Sequence, residues 1–395
     1  MYELSKKFLG VKASATRELL KVTSQPGMIA FAGGSPAVEA FPTKEVARLS
    51  DEILSENPVS ALVYGVSEGY QPLRDTLRVW LAKHENVVTD NDEVIITSGG
   101  SQIMDLSARI LCDEGDTVIC EEPSFIGSLN CFRSHGLKLV GVPIDDDGMN
   151  IDALREAVRN NPKAKFIYTI PNFQNPGGTT LSLEKRKAMY EIAKANGIVI
   201  IEDNPYGKLR VAGEDLPSIK TMDTDGIVIY AGSFSKILAP GIRVAYAVVP
   251  KDMAGAFTIA KQVSDVHTGV LNQMIVSRWF DEYDVDAHIE KIKGIYRHKL
   301  NLMCDCLDKY CAEHITYVRP EGGLFIWAKL PDSVDMLQYC ERLLECKVAV
   351  VPGTAFVIDD TKECHYIRLN FSTPSDENIE KGVKIMGEVI KEFIK

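Results

Sequence analysis

The 395-residue chain has nine cysteines and seven histidines, yet neither type clusters in a metal-ligand spacing. There is no Cys-x-x-Cys pair and no His-Glu-x-x-His motif, so no bound metal is expected. The odd, scattered thiols, of which Cys304 and Cys306 are the nearest pair, read as reduced core residues of a cytoplasmic protein. Basic charge is also short: 44 lysines and arginines face 55 acids, for a net charge of −11. That balance disfavours nucleic acid or an anionic membrane as a general partner, because both reward a basic surface. No apolar run approaches the roughly 18 residues that suggest a membrane span. The opening "MYELSKKFLGVKASATRELL" lacks the apolar core and small-residue cleavage site of a signal peptide. Gly-x-Gly-x-x-Gly and the Walker P-loop are absent too, which argues against nicotinamide and nucleoside triphosphate chemistry.

What the chain does contain is an ordinary globular composition, 45% hydrophobic and 25% charged, at a length that suits two domains. Through its middle, short β-branched runs alternate with amphipathic helical stretches. The runs are "EVIITSGG", "DTVICEEPSF", "KFIYTIPNFQNPGG", "GIVIIEDNPYG" and "GIVIYAGSFSK". One intervening helix, "SLEKRKAMYEIAKANG", opens on a Ser182 cap and stops at Asn196-Gly197. Apolar runs separated by helices predict an α/β fold with a largely parallel sheet. After about Phe280 the texture changes. A long amphipathic helix, "HIEKIKGIYRHKLNLMCDCLDKYC", precedes short strands around "GGLFIWAKL", "VAVVPGTAF" and "YIRLNFS", then a final helix from Asp376. The expected division is a large domain over 45–280 and a smaller α+β domain formed by 1–44 and 281–395.

In parallel sheets ligands bind at the carboxyl ends of the strands. The polar residues of this chain gather at those ends, and five runs agree. The most informative is "IVIYAGSFSKILAPGIR", Ile227 to Arg243, in which a lysine directly follows a buried strand. A partly desolvated lysine amine loses proton affinity and can condense with a carbonyl, which makes Lys236 the candidate nucleophile. Asp203 ends the apolar run "IVIIE", where its carboxylate can hold a protonated ring nitrogen; a turn-forming Asp before Asn204-Pro205 is the plainer reading. Tyr206 lies three residues on. "TSGGSQ" reads as strand, glycine pair and helix start, whose free amides suit a phosphate. Ser233, Ser235 and Arg243 can complete the phosphate shell. A carbonyl-accepting lysine, an acid for a pyridinium and a phosphate cradle together describe pyridoxal 5′-phosphate.

With these motifs the sequence resembles the fold-type I pyridoxal-phosphate aminotransferases of class I/II. The likeness is greatest to the branch of 2-aminoadipate and kynurenine aminotransferases and of MocR-type aminotransferase domains. It runs from "FAGGSP" and "LVYGVSEGYQPLR" through "PNFQNPGG" and "GSFSKILAPGIR" to "PEGGLFIWAKLP" and "YIRLNFS". It implies an aspartate-aminotransferase-like large domain with a seven-stranded type of sheet. By the same resemblance Lys236 is the Schiff-base lysine and proton shuttle, and Asp203 pairs with the pyridine nitrogen. Asn175 and Tyr206 bond the ring phenolate oxygen. Gly100, Ser101, Gln102, Ser233, Ser235 and Arg243 hold the phosphate. Phe125 stacks on the ring where the branch usually has tyrosine. Tyr64 matches a tyrosine that reaches the neighbouring subunit's phosphate, which implies a homodimer with shared sites. Arg368 grips the substrate α-carboxylate, Gly33 and Gly34 let the backbone approach, and Arg17 corresponds to a contact for a distal carboxylate. The implied reaction is ping-pong transfer of an amino group from an α-amino acid to a 2-oxo acid, 2-oxoglutarate above all. Cysteine-conjugate β-elimination on the same coenzyme is an alternative. So is a ligand-sensing regulator domain, although no DNA-binding module is seen.

Overall fold

Short β-branched runs extend into strands because a branched Cβ packs well on a pleated surface. The computed structural model describes residues 26–394, together with 3, 5–9 and 11. Its strands begin with β1 (Ile29–Ala30), β2 (Asp92–Thr97), β3 (Thr117–Glu122), β4 (Lys138–Asp145) and β5 (Gly148–Met149). β6 (Phe166–Thr169), β7 (Val199–Asp203), β8 (Val228–Ser233) and β9 (Ala245–Pro250) follow. The last are β10 (Thr316–Tyr317), β11 (Phe325–Lys329), β12 (Val348–Ala349), β13 (Val351–Pro352) and β14 (Tyr366–Asn370).

Eight of these strands form one sheet in the order β2-β9-β8-β7-β6-β3-β4-β5. β4, β3, β6, β7 and β8 run parallel, and β9 is antiparallel to both β8 and β2. β2 therefore points the same way as the parallel set, and all five expected strand ends meet at one edge. The sheet has one strand more than the seven-stranded type expected. The addition is β5, a two-residue strand that folds back on β4. β6 and β9 are buried along their whole length, which explains why their runs carry no charge. The helix Leu183–Asn196 ends, as read, on Gly197 in the left-handed region. Ser182 occupies its N-cap position without a side-chain cap bond; its hydroxyl turns to Asp147 instead.

A second, antiparallel sheet has the order β10-β11-β14-β13. The 26-residue helix Val285–Tyr310 precedes it in the chain, capped by Asp284, whose Oδ1 accepts from Ala287 N at 2.9 Å. The run "VAVVPGTAF" does not make one strand. β12 pairs in parallel with β1, and β13 joins β14, so the chain changes sheets at Val350. The β1 segment is tied to this side, with Phe31 N donating to Ala349 O and Phe31 O accepting from Asn370 N, both at 2.8 Å. No helix among the described residues is long and apolar enough to cross a membrane.

One buried ion cluster fastens the far end of the large sheet. Lys220 Nζ donates to Asp92 Oδ1 and Asp223 Oδ2, each at 2.8 Å, and to Val228 O at 3.0 Å. Both carboxylates are buried, and each also accepts from backbone amides, Thr89 N for Asp92 and Ile227 and Val228 N for Asp223. Removing the one cation strands two buried carboxylates. Lys220→Met is expected to lower unfolding free energy by about 3–5 kcal/mol. Urea denaturation checks this, and a loss below about 1 kcal/mol contradicts the account.

Candidate active site

The site forms where the parallel strands end. At β2 the chain turns through Ser98 and Gly99 into the helix Gly100–Leu111. Gly99 has φ +91°, and a Cβ there would collide with the Arg243 guanidinium. Only glycine allows the guanidinium to lie against this turn. Arg243 itself sits in the left-handed region, at φ 56°, and one of its terminal nitrogens donates to Ser98 O at 3.1 Å. The first helical turn leaves amides without intrahelical partners beside an exposed guanidinium, an arrangement that binds an anion. Gln102, expected among the phosphate-holding residues, turns its side chain onto the turn itself. Its Oε1 accepts from Ser98 N at 2.7 Å and from Lys261 Nζ at 2.8 Å, so the carboxamide oxygen braces the turn.

β8 delivers the next residues. Ser233 ends the strand, and its Oγ accepts from Ser235 N at 3.1 Å and lies 3.0 Å from Ser235 Oγ. Lys236 follows, half-buried, and its Nζ donates to Gly34 O at 2.7 Å. Burial, together with the nearby Arg368 and Arg243 charges, pulls its pKa down to about 8. At neutral pH the amine is therefore much closer to its nucleophilic form than an exposed lysine.

β7 brings Asp203. Register explains its partner: Tyr168 pairs with Ile201, and strand alternation puts Asp203 on the same face two residues later. Tyr168 Oη donates to Asp203 Oδ2 at 2.8 Å and accepts from Ser128 Oγ at 2.9 Å. Burial raises the Asp203 pKa to about 6, against the lowering effect of the tyrosine bond. A cation placed against this carboxylate would restore its ionised form. On the opposite face, buried Glu121 accepts from Thr169 Oγ1 at 2.6 Å and Gln174 Nε2 at 3.0 Å. Burial lifts its pKa to about 7. Through Gln174 it anchors the loop that carries Asn175.

Asn175 lies between two groups. Its Nδ2 donates to the buried Tyr206 Oη at 3.3 Å, and its Oδ1 accepts from Arg368 at 3.0 Å. Arg368, on β14, is almost completely buried. Its second terminal nitrogen donates to Ala32 O at 3.0 Å and Gly33 O at 3.1 Å. The guanidinium carbon lies 4.2 Å from the Phe325 ring centroid and 4.9 Å from that of Phe356, within cation–π range. Burial lowers its pKa to about 10, so it stays cationic at neutral pH. Its Nε is buried without a hydrogen-bond partner among the described residues.

The structure thus brings Gly33, Gly34, Gly100, Ser101, Gln102, Asn175, Asp203, Tyr206, Ser233, Ser235, Lys236, Arg243 and Arg368 to one edge of the sheet. Phe125 joins them, half-buried just before the helix Ile126–Ser134. Tyr64 stands apart: it is 86% exposed, its ring edge-on to His267 at 5.8 Å. Arg17 lies outside the described residues. Sequence reasoning missed Tyr168, Glu121 and Lys261. The only available signals were a phenol and a carboxylate in apolar strands, and a Lys–Asp pair four apart on a helix. The donor set fits pyridoxal phosphate. The Gly99 turn admits the guanidinium for a phosphate, Asp203 awaits a cation, and the orphaned Nε of Arg368 suits a carboxylate.

The profile of the family Aminotransferase class I and II matches residues 26–386. The chain is 38% identical over 396 residues to aromatic-amino-acid aminotransferase 1 of Thermococcus litoralis, covering 99% of this chain and 94% of that one. It is also 38% identical to the 2-aminoadipate transaminase of Thermus thermophilus, covering 96% and 94%. Among solved structures, the kynurenine aminotransferase of Pyrococcus horikoshii superposes with a TM-score of 0.95 at 37% identity, over 99% and 98% of the two chains. That structure holds pyridoxamine phosphate (PMP). Strand ends, coenzyme-fitting residues and full-length likeness agree: this chain belongs to the class I and II aminotransferases and is a pyridoxal-phosphate-dependent enzyme of the aspartate-aminotransferase-like fold.

Proposed function

We propose that the enzyme takes its amino group from aromatic or 2-aminoadipate-like donors, the kinds named for its relatives, and delivers it to 2-oxoglutarate. One observation carries the assignment of roles. The adjacent carbonyls of Gly33 and Gly34 accept, respectively, from Arg368 and Lys236. The candidate carboxylate anchor and the candidate proton carrier are therefore fastened to the carbonyls of consecutive residues, which keeps them close together in one site.

When bound, pyridoxal phosphate supplies an aldehyde that condenses with amines and a ring that draws electron density from the substrate Cα. Gly100, Ser101, Ser233, Ser235 and Arg243 would hold its phosphate, with Gln102 bracing the turn. Asp203 would face the ring nitrogen, Asn175 and Tyr206 the ring oxygen, and Phe125 the ring face. Arg368 would bind the substrate carboxylate through its planar guanidinium, whose partnerless Nε offers the first donor. Lys236, freed from Gly34 O, would take the α-proton at Nζ and hold it there for return. Asp203, ionised beside a cation, keeps negative charge next to the ring while Tyr168 keeps its carboxylate in place.

We also read the enzyme as a homodimer with shared sites, built from a 45–280 domain and a smaller domain of the remaining segments. Exposed apolar side chains lie near both members of the Tyr64–His267 contact in the chain: Val59, Leu62, Val63 and Val66 near Tyr64, and Ile259, Val263 and Val266 ahead of His267. Apolar exposure of this extent supports a covered surface. In that dimer Tyr64 would serve the neighbouring subunit's phosphate.

Three outcomes are expected. Wild-type enzyme converts 2-oxoglutarate to glutamate with an aromatic amino acid or 2-aminoadipate as donor, and Lys236→Ala lowers the rate by about 10⁴-fold. Half-reaction rates retained within about tenfold would refute the role of Lys236. In the coenzyme-free chain, labelling of Lys236 by an amine-reactive reagent, followed by peptide mass spectrometry, rises with a midpoint near pH 8. The sign follows from the lowered pKa: ammonium below that pH, reactive amine above it. Finally, mixing Lys236→Ala with Tyr64→Ala subunits restores activity, because each mixed dimer keeps one site with both residues intact. No recovery on mixing contradicts the shared site.

A further inference from the structure

Lys261 presents a problem that the reaction does not explain. It lies on the helix Lys251–Asp265 with no exposed surface, although lysine is rarely buried. Its ammonium has three donors, and all three find acceptors: Asp265 Oδ1 at 2.6 Å, Gln102 Oε1 at 2.8 Å and Thr268 Oγ1 at 3.0 Å. Burying the cationic half of such an ion pair seldom stabilises a fold more than apolar packing of similar volume. Its justification is better sought in what it holds.

What it holds is Ser98. The Ser98 amide donates to Gln102 Oε1 at 2.7 Å, the same oxygen that Lys261 fixes. The Ser98 hydroxyl donates to Asp265 Oδ2 at 2.6 Å and lies 3.1 Å from Thr268 Oγ1. The Ser98 carbonyl accepts from Arg243. Each polar group of the residue is thereby fixed, and Lys261 touches the acceptors of two of them. The amides of Gly100 and Ser101 come immediately after this turn. The backbone shows that Asp265 and Thr268 are held in place against resistance: Val266, β-branched, lies between them at φ +66°.

We propose that Lys261 is a positioning residue for the coenzyme's phosphate. Through Gln102, Asp265 and Thr268 it locks the Ser98 turn, so that the Gly100 and Ser101 amides and the Arg243 guanidinium converge on one phosphate group. The inference rests on the coenzyme reading given above and extends it to a residue that touches neither coenzyme nor substrate. Its consequence is selective. The lock serves the phosphate and not the aldehyde or the ring, so its loss discriminates between coenzyme forms.

The test is titration of the coenzyme-stripped, full-length chain with pyridoxal 5′-phosphate and, separately, with pyridoxal, each followed by absorbance of the bound aldehyde. Lys261→Met is expected to weaken pyridoxal 5′-phosphate by roughly 10- to 100-fold, the scale of one or two charge-assisted hydrogen bonds. Pyridoxal should change by less than about threefold. An equal loss for both aldehydes would mark a merely structural residue, and an unchanged preference would mark an idle one; either overturns the proposal. If Lys261→Met does not fold, Thr268→Val removes one acceptor from the ammonium. It should show the same phosphate-specific loss at about three- to tenfold, and a fully retained preference there is equally fatal. A wild-type chain that binds neither aldehyde overturns the coenzyme reading itself.

Discussion

Three ionisable groups, Lys236, Asp203 and Arg368, are held largely out of water at one edge of a sheet, and the surrounding structure makes that tolerable. Burying a charge without partners costs several kcal/mol, so each group needs its own compensation. Asp203 has the Tyr168 phenol, itself supported by Ser128. Among the described residues Lys236 has a single carbonyl, that of Gly34, and it has a lowered proton affinity. Arg368 has two carbonyls, the Asn175 amide oxygen and two aromatic faces. The compensation is deliberately partial in chemical terms. Asp203 keeps a raised pKa and Arg368 keeps an unsatisfied Nε, which are the properties a cationic ring and a carboxylate would satisfy.

Strand direction is what allows these groups to converge. Because β9 is the antiparallel member and β2 lies beyond it, the phosphate-binding turn after β2 opens at the same edge as Asp203 and Lys236. One strand fewer between β2 and β8 would reverse that turn and send it to the other end of the sheet. Most polar residues at this edge sit at or just past strand ends, and the groups that steady them come from strand interiors, as Tyr168 does, and from helices, as Lys261 does, which separates binding from support.

That separation also decides what could be read from sequence. Strand ends are legible because apolar runs finish in Gly, Pro, Asn or Asp, and a lysine after "IVIYAGSFS", by itself most simply a solvated surface residue, gains meaning from the other strand ends that agree with it. Supporting residues are not. Tyr168 inside "FIYT" has the signature of any core aromatic, and only the register of β6 against β7 sets it beside Asp203. Lys261 and Asp265, four apart on an amphipathic helix, have the spacing of a solvated surface pair; the burial of the lysine comes from tertiary packing that a local pattern cannot encode. Gln102 is legible as part of the turn after β2, yet the direction of its carboxamide depends on Lys261. The two-residue β5 and the division of "VAVVPGTAF" between two sheets escaped for another reason: both are too short to establish a period.

The tie between β1 and the small sheet bears on how the cleft behaves mechanically. Phe31 is stitched to Ala349 and Asn370, and three residues on the same segment ends in the carbonyl that receives the Lys236 amine. That 2.7 Å bond is thus a latch between the two sheets, with its keeper on one and its bolt on the other. It is one fastening among several, since Arg368 on β14 holds Asn175 and Glu321 O accepts from Val211 N, so unfastening the lysine for chemistry loosens one clasp and leaves the two sheets joined.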